Sequence, residues 1–300
     1  MGSFNKQNIT EVSSMAASDE LGSLTRAFSG LGVDENALIT ILGKWHPEQR
    51  QSFRKGSRDF FVEDERQFER WDDRHILQLR HEFLRLKDAI VLWTMHPWER
   101  DARLLKESLY KGPQYNVLVE IACTRSSEEL LGARRAYHSL FDHSIEEDVA
   151  FHVHGPERKL LVGLLSSYRY EGPKVNAEVA KFEAKALSES ASKKSLIEDE
   201  ELVRILSTRS KPHLKAIYKH YKEISGNYLD EVLDTSLRYD VDEITKEAVT
   251  RVIVTRADAD MKQIKEEYHN KYGVNLSKRI EDVANGNYRD FLLTLIARGD

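Results

Sequence analysis

The sequence predicts an all-α protein assembled from a repeated helical unit. Three observations predict it. One eight-residue pattern returns four times along the chain, charged residues make up 32% of it against only six prolines, and no alternating strand pattern stands out. Dense charge with few prolines favours long solvated helices. A recurring internal period marks a repeat architecture.

The elements follow in chain order. Ser18 is placed to cap a helix with Asp19 and Glu20 in its first turn and Leu21, Leu24 and Phe28 on one face. That helix runs into Phe28-Ser29-Gly30-Leu31-Gly32-Val33-Asp34-Glu35, and a second helical pattern leaves it. Two glycines one residue apart stand out in a chain holding 15. Glycine turns sharply without a Cβ clash, so such a turn can aim several carbonyl oxygens at one point. Carbonyls plus one distant carboxylate make the oxygen cage that calcium prefers. Leu31 and Val33 then stand exposed beside it, an apolar tip suited to anionic lipid. A plain helix-helix turn with a glycine C-cap accounts for the same residues without a ligand.

The recurring pattern is Leu118-Val119-Glu120-Ile121-Ala122-Cys123-Thr124-Arg125, then Leu202 to Arg209, then Val249 to Arg256. Apolar residues stand three, four and seven places before each Arg, the spacing of a helix with one buried face. A fourth copy, Leu38 to Trp45, has Trp45 in the Arg position. Five residues on come Leu130, Leu214 and Met261, and twelve residues on come Tyr137, Tyr221 and Tyr268. The terminal Arg is expected to meet the helix dipole or an acid of its own repeat. The interval from Trp45 to Arg125 is 80 residues, that to Arg209 is 84, and that to Arg256 is only 47. The last interval is about 35 residues short, roughly two helices with their connections.

Between the copies, Arg58 to Arg80 is dense in charge and is expected to form a solvated helix or an extended loop. Glu82 through Thr94 is apolar at helical spacing, and Gly155-Pro156 opens a helix with Leu160, Leu161, Leu164 and Leu165 on its buried side. Tyr170-Glu171-Gly172-Pro173 is the clearest linker and divides the chain into halves of two repeats each.

Composition narrows the function. A net charge of -5 argues against a dedicated nucleic-acid binder. No apolar run is long enough to span a bilayer, and Met1-Gly2-Ser3-Phe4-Asn5-Lys6 lacks the apolar core of a signal peptide. Membrane contact is therefore expected to be peripheral, from a cytoplasmic location. The single Cys123 fits a reducing compartment and lies in an apolar run, as a structural thiol does. Asp258-Ala259-Asp260 fails as an EF-hand, because Gln263 and His269 stand where Gly and Glu are required. His152 and His154 lack the companions of a zinc site. No nucleophile, base and acid set emerges from spacing, so a binding protein is expected, not an enzyme.

Four helical repeats, the Gly-x-Gly-x-Asp-Glu turn after the first helix and Thr-Arg at the end of the second together resemble an annexin, from about Ser18 to Leu295. Gly286-Asn287-Tyr288-Arg289-Asp290-Phe291 resembles the opening of the family's final helix. Leu92-Trp93 followed by Glu99-Arg100-Asp101-Ala102 is similar to plant members, and the degraded loops elsewhere are similar to a divergent plant branch.

The resemblance implies an all-α fold of four annexin-type helical repeats forming a curved disc, with the third interval shortened. It implies a tail over 1–17, repeats over 18–95 and 96–170, a truncated repeat over 175–226 and a last repeat over 227–300. It implies Ca2+ as cofactor, held by the carbonyls of Phe28, Gly30 and Gly32 and by an acid downstream. The alignment puts His81 at that acidic position with Glu82 beside it, and Glu82 is taken as the ligand. Leu31 and Val33 become the membrane contact. The other loops depart from the pattern: Lys111-Gly112-Pro113-Gln114-Tyr115 with His152 at the acid's place, Lys194-Ser195-Leu196-Ile197-Glu198-Asp199 without glycine, and Tyr239-Asp240-Val241-Asp242-Glu243 with Asp282 one place off.

The implied function is calcium-dependent binding of a peripheral protein to anionic phospholipid membranes. The alternative is a helical-repeat scaffold with mostly lost calcium sites. It would act by self-association, by pairing with another annexin or by binding other proteins.

Overall fold

Apolar residues at helical spacing and well-formed caps produce a chain that is helical nearly throughout. The computed structural model describes residues 20, 22, 24, 35–73, 76, 86–110, 114–166, 168–191, 196–234 and 246–299. The first part holds α1 (Glu35–Leu42), α2 (Pro47–Gly56), β1 (Phe61–Asp64), β2 (Phe68–Trp71) and α3 (Lys87–Thr94). A run of five follows: α4 (Pro97–Tyr110), α5 (Tyr115–Thr124), α6 (Ser127–Phe141), α7 (Ile145–His152) and α8 (Arg158–Ser166). Then come α9 (Ala177–Ala191), α10 (Glu200–Thr208), α11 (Lys211–Ser225) and α12 (Leu229–Asp234). The last four are α13 (Lys246–Arg256), α14 (Met261–Tyr272), α15 (Leu276–Val283) and α16 (Gly286–Ile296).

Local chemistry sets the helix ends. Ser126 and Ser144 open α6 and α7 with capping boxes to Glu129 and Glu147. Left-handed residues Asp142, Gly226 and Gly273 close α6, α11 and α14.

The order of elements repeats with the sequence pattern. Helices α4 to α8 form one full set of five. A further set, α9 to α12, lacks a counterpart of α8 among the described residues, and α13 to α16 lacks a counterpart of α4. Residues 235–245, which lie outside the description, are too few to supply two helices at the usual helix length. The shortened third interval therefore leaves too little chain for both the closing helix of one set and the opening helix of the next.

The chain forms two compact units, one from 1–96 with 243–300 and the other from 97–242. In the first, Leu38, Leu42, Phe53, Trp71 and Trp93 share a core with Ile253, Ile280, Phe291, Leu292 and Leu295. Helix α3 packs on α13 and α16 packs on α1. A Cβ at Gly43 would lie 2.8 Å from Thr294, so α16 crosses α1 at a glycine. In the second unit α4 packs on α6, α9 on α11, and α8 on α10. Its apolar centre around α9 to α11 holds Ala180, Ala184, Leu187, Leu202, Ile205, Ile217 and Tyr221. The Tyr170–Pro173 linker lies inside this second unit, so the compact units are not the two sequence halves.

One expectation is corrected. The charged stretch from Arg58 contains neither a solvated helix nor a plain loop over 61–71, but an antiparallel hairpin. Phe61 faces Trp71, Val62 faces Arg70, Glu63 faces Glu69 and Asp64 faces Phe68. Phe61, Phe68 and Trp71 are buried, while Glu69 meets Arg54 at 3.3 Å and Asp64 meets Arg70 at 3.6 Å. Asp64 also shapes the turn by accepting from the Arg66 amide at 3.0 Å, with Gln67 in the left-handed region at φ 66°.

Candidate functional site

The residues expected to hold calcium, Phe28, Gly30, Gly32 and Glu82, lie outside the described residues, as do Leu31 and Val33. So do His81 and the turns at 111–113, 194–195 and 239–243. What the structure supplies is the frame that carries these turns.

That frame has one repeated joint. The residue that ends the second helix of a set reaches back to an acid on the first. Arg125, closing α5, donates to both oxygens of Asp101 on α4, at 2.6 and 2.9 Å. Arg209, closing α10, meets Glu183 on α9 at 2.9 Å. Trp45, after α1, uses its indole N–H in the same way, donating to Glu20 at 2.9 Å. The sequence separations are 24, 26 and 25 residues. Arg256, closing α13, pairs with Asp260 four residues on. The terminal Arg thus meets an acid of its own repeat in all three cases, as expected. These joints tie the second helix of a set back to the first.

Glu183 is the busiest of these acids. It accepts from Arg209, from Arg204 at 2.7 Å, and lies 3.1 Å from His213 Nε2. Burial raises its carboxyl, but the bonds from Arg209, Arg204 and His213 outweigh burial and hold it below the usual carboxylate range. Arg125 is raised: its bonds to Asp101 prevail over the desolvation that opposes them.

The second set shows what stands where a family acid is expected. His152, at the end of α7, packs against Tyr110, at the end of α4, with ring centroids 4.4 Å apart and the rings tilted by 59°. Its Nε2 is buried and has no hydrogen-bond partner among the described residues. Lys106 lies 3.8 Å from the Tyr110 ring centroid and 3.1 Å from Asp148, and Tyr137 donates to that same carboxylate. An imidazole nitrogen is a poor ligand for a hard cation that prefers oxygen, so this position does not fit calcium. Asp282, in the last set, is exposed on α15.

Other motifs resolve into structural roles. Asp258 pairs with Arg50 at 2.6 Å and with Arg298 at 2.7 Å, and Asp260 pairs with Arg256. The Asp-x-Asp pair therefore serves ion pairs. Cys123 is a half-buried free thiol whose pKa is raised by burial. Among the described residues, no three His, Cys, Asp or Glu side chains gather as a metal site, and no helix is long and apolar enough to cross a membrane. The repeated joint was the feature that sequence reading left incomplete. The Arg was visible by repetition, but its acid lies one helix away, at a spacing no local periodicity marks.

Comparison with known proteins places this frame. The family model described as Annexin matches residues 100–164, 182–244 and 242–295. The chain is 53% identical to Annexin D4 of Arabidopsis thaliana over 319 aligned residues, covering 95% of this chain and all of that protein. It is 36% identical to Annexin-like protein RJ4 of Fragaria ananassa, over 95% of this chain and 96% of the relative. Among solved structures, annexin III superposes with a TM-score of 0.80 at 23% identity, over 95% of this chain and 94% of that one. Calcium-bound annexin (Sm)1 superposes at 0.73 with 20% identity, over 93% and 90%.

Proposed function

Because this chain belongs to the annexin family, we propose that it is a calcium-dependent, phospholipid-binding peripheral membrane protein of the cytoplasm. Its cation site is the turn before α1. The backbone carbonyls of Phe28, Gly30 and Gly32 and the carboxylate of Glu82 hold Ca2+, and Leu31 and Val33 enter the lipid interface. This donor set is oxygen only, which is the chemistry calcium selects. The bound ion supplies positive charge and open coordination positions for lipid phosphate, and so joins two anionic partners. The observation that carries the reading is the contrast between turns. Of the four turns only the first keeps two glycines in sequence, whereas the second set has His152, packed against Tyr110, where an acid is expected.

A single exposed cage of this kind binds calcium at roughly 10⁻⁴ to 10⁻³ M without lipid. Burying Leu31 adds about 2 kcal/mol, and each basic side chain near an anionic leaflet adds about 1 kcal/mol. Co-sedimentation with phosphatidylserine vesicles tests the reading. Pelleting is expected at millimolar calcium and is lost in Gly32→Glu. Absence of calcium-dependent pelleting in the wild type rules the reading out.

A second reading has its own observation. In the first unit, end helices pack in both directions, α3 on α13 and α16 on α1. In the second unit α8 packs on α10, but α5 packs chiefly on α4 and α8 and leaves Val119 42% exposed. An uncovered helix face favours a scaffold that associates with itself, another annexin or other proteins.

A further inference from the structure

The second unit contains a cavity of about 780 Å³ that no part of the calcium reading uses. Tyr170, Lys174, Asn176, Arg209, Ser210 and His213 line it, and none of its lining residues is acidic. We propose that this cavity is an anion site that takes a phosphomonoester, either free in solution or on a lipid headgroup, without calcium.

Four features of the cavity converge on that ligand. Arg209 spends Nε and Nη2 on Glu183, while Nη1 takes part in none of these bonds. Its side chain is 35% exposed, so the guanidinium is anchored at one edge and open at the other. An anchored guanidinium presents its remaining donors at little further entropic cost, and its planar fork matches phosphate oxygens. Lys174 is exposed and forms no ion pair with the described residues, which leaves a full positive charge at the mouth.

Two helices begin on the cavity wall. Asn176 precedes α9 and accepts from the Val179 amide at 3.1 Å. Ser210 caps α11 by accepting from the His213 amide at 3.2 Å. Each cap satisfies one amide and leaves the positive end of a helix dipole facing the cavity. Beneath the wall the carboxylate of Glu183 is engaged by Arg209, Arg204 and His213. It therefore orients Arg209 and is not free to repel an anion.

The remaining wall fits an organic phosphate. Tyr170, 49% exposed, lines this open groove together with Val175 and Val179, which supplies apolar surface for the organic part of the ligand. Arg169 adds charge behind the wall, where it donates to the carbonyls of Arg209 and Leu206 and so neutralises the negative end of α10.

The test uses the full chain in EGTA, so it is independent of the calcium loop. Isothermal titration with inorganic phosphate and with inositol trisphosphate is expected to show saturable binding. Lys174→Glu is expected to weaken it roughly tenfold, the loss of one charge-assisted contact. Lys174 is exposed and unpaired, so thermal unfolding of the variant should match the wild type. Arg209→Lys, which keeps the charge and loses the fork, should also weaken binding.

Flotation with phosphatidylcholine vesicles containing phosphatidylinositol phosphate separates the sources. Flotation lost in Lys174→Glu assigns the headgroup, and titration without flotation assigns a free phosphomonoester. No saturable binding of either probe, or equal binding by a folded Lys174→Glu, overturns the proposal.

Discussion

Glu183 shows how much one buried side chain holds in this fold. It is 1% exposed and joins α9 to the end of α10 and the start of α11. Its folded pKa lies below the unfolded value because its three partners outweigh burial. The stabilisation is therefore complete above the unfolded glutamate value, about 4.3, and is lost as pH falls through the lower folded value. Glu183→Gln should cost about 3 kcal/mol at neutral pH, as expected for breaking a buried ion pair. Urea unfolding at pH 7 and at acidic pH checks this. The gap between wild type and variant should narrow in acid, because a protonated Glu183 and a glutamine carry the same charge. An unchanged gap would show that the carboxylate charge contributes nothing. From the sequence, Arg209 was legible as a repeated residue, but Glu183 was one acid among many on a charged helix.

At the scale of elements, the hairpin β1–β2 is the clearest departure from expectation. Its strands are four residues each, too short for alternation to stand out, and Glu63, Asp64, Glu65 and Glu69 dominate the stretch. The apolar residues that matter, Phe61, Phe68 and Trp71, come together only when the strands pair. Trp71 then packs on Phe61 with ring centroids 4.3 Å apart and joins the core of its unit. Trp71→Ala should destabilise that unit by about 3 to 5 kcal/mol, the cost of emptying a buried aromatic site. Chemical denaturation read by near-ultraviolet circular dichroism measures it, and a loss below about 1 kcal/mol would mean the hairpin is only peripheral. The helices, by contrast, were legible, because three or four turns repeat a buried stripe often enough to be read.

At the scale of the whole molecule, the shortened interval sets the terms. It leaves too little chain for both helices that a full interval would hold, and Arg256, which closes α13, pairs with Asp260 four residues on. The second unit keeps α8 on α10, while α5 packs chiefly on α4 and α8 and leaves Val119 exposed. If that face drives association, sedimentation velocity should show a concentration-dependent rise in mass. Val119→Asp, at an exposed position, should shift it toward monomer without lowering thermal stability. A wild type that stays monomeric at every concentration would dismiss self-association through this face and leave the membrane reading untouched.

By itself the sequence determined the helical class, the repeats, the short third interval and family membership. Each of these is written in periodicity or in motifs that a linear reading can align. Tertiary structure alone decided which acid meets each terminal Arg or Trp, how a charged stretch buries three aromatics, and where a basic cavity opens. The joints depend on residues 24 to 26 positions apart meeting across helices, and the aromatics on two short strands pairing. No local pattern encodes such a meeting, because it follows from packing whole faces against one another.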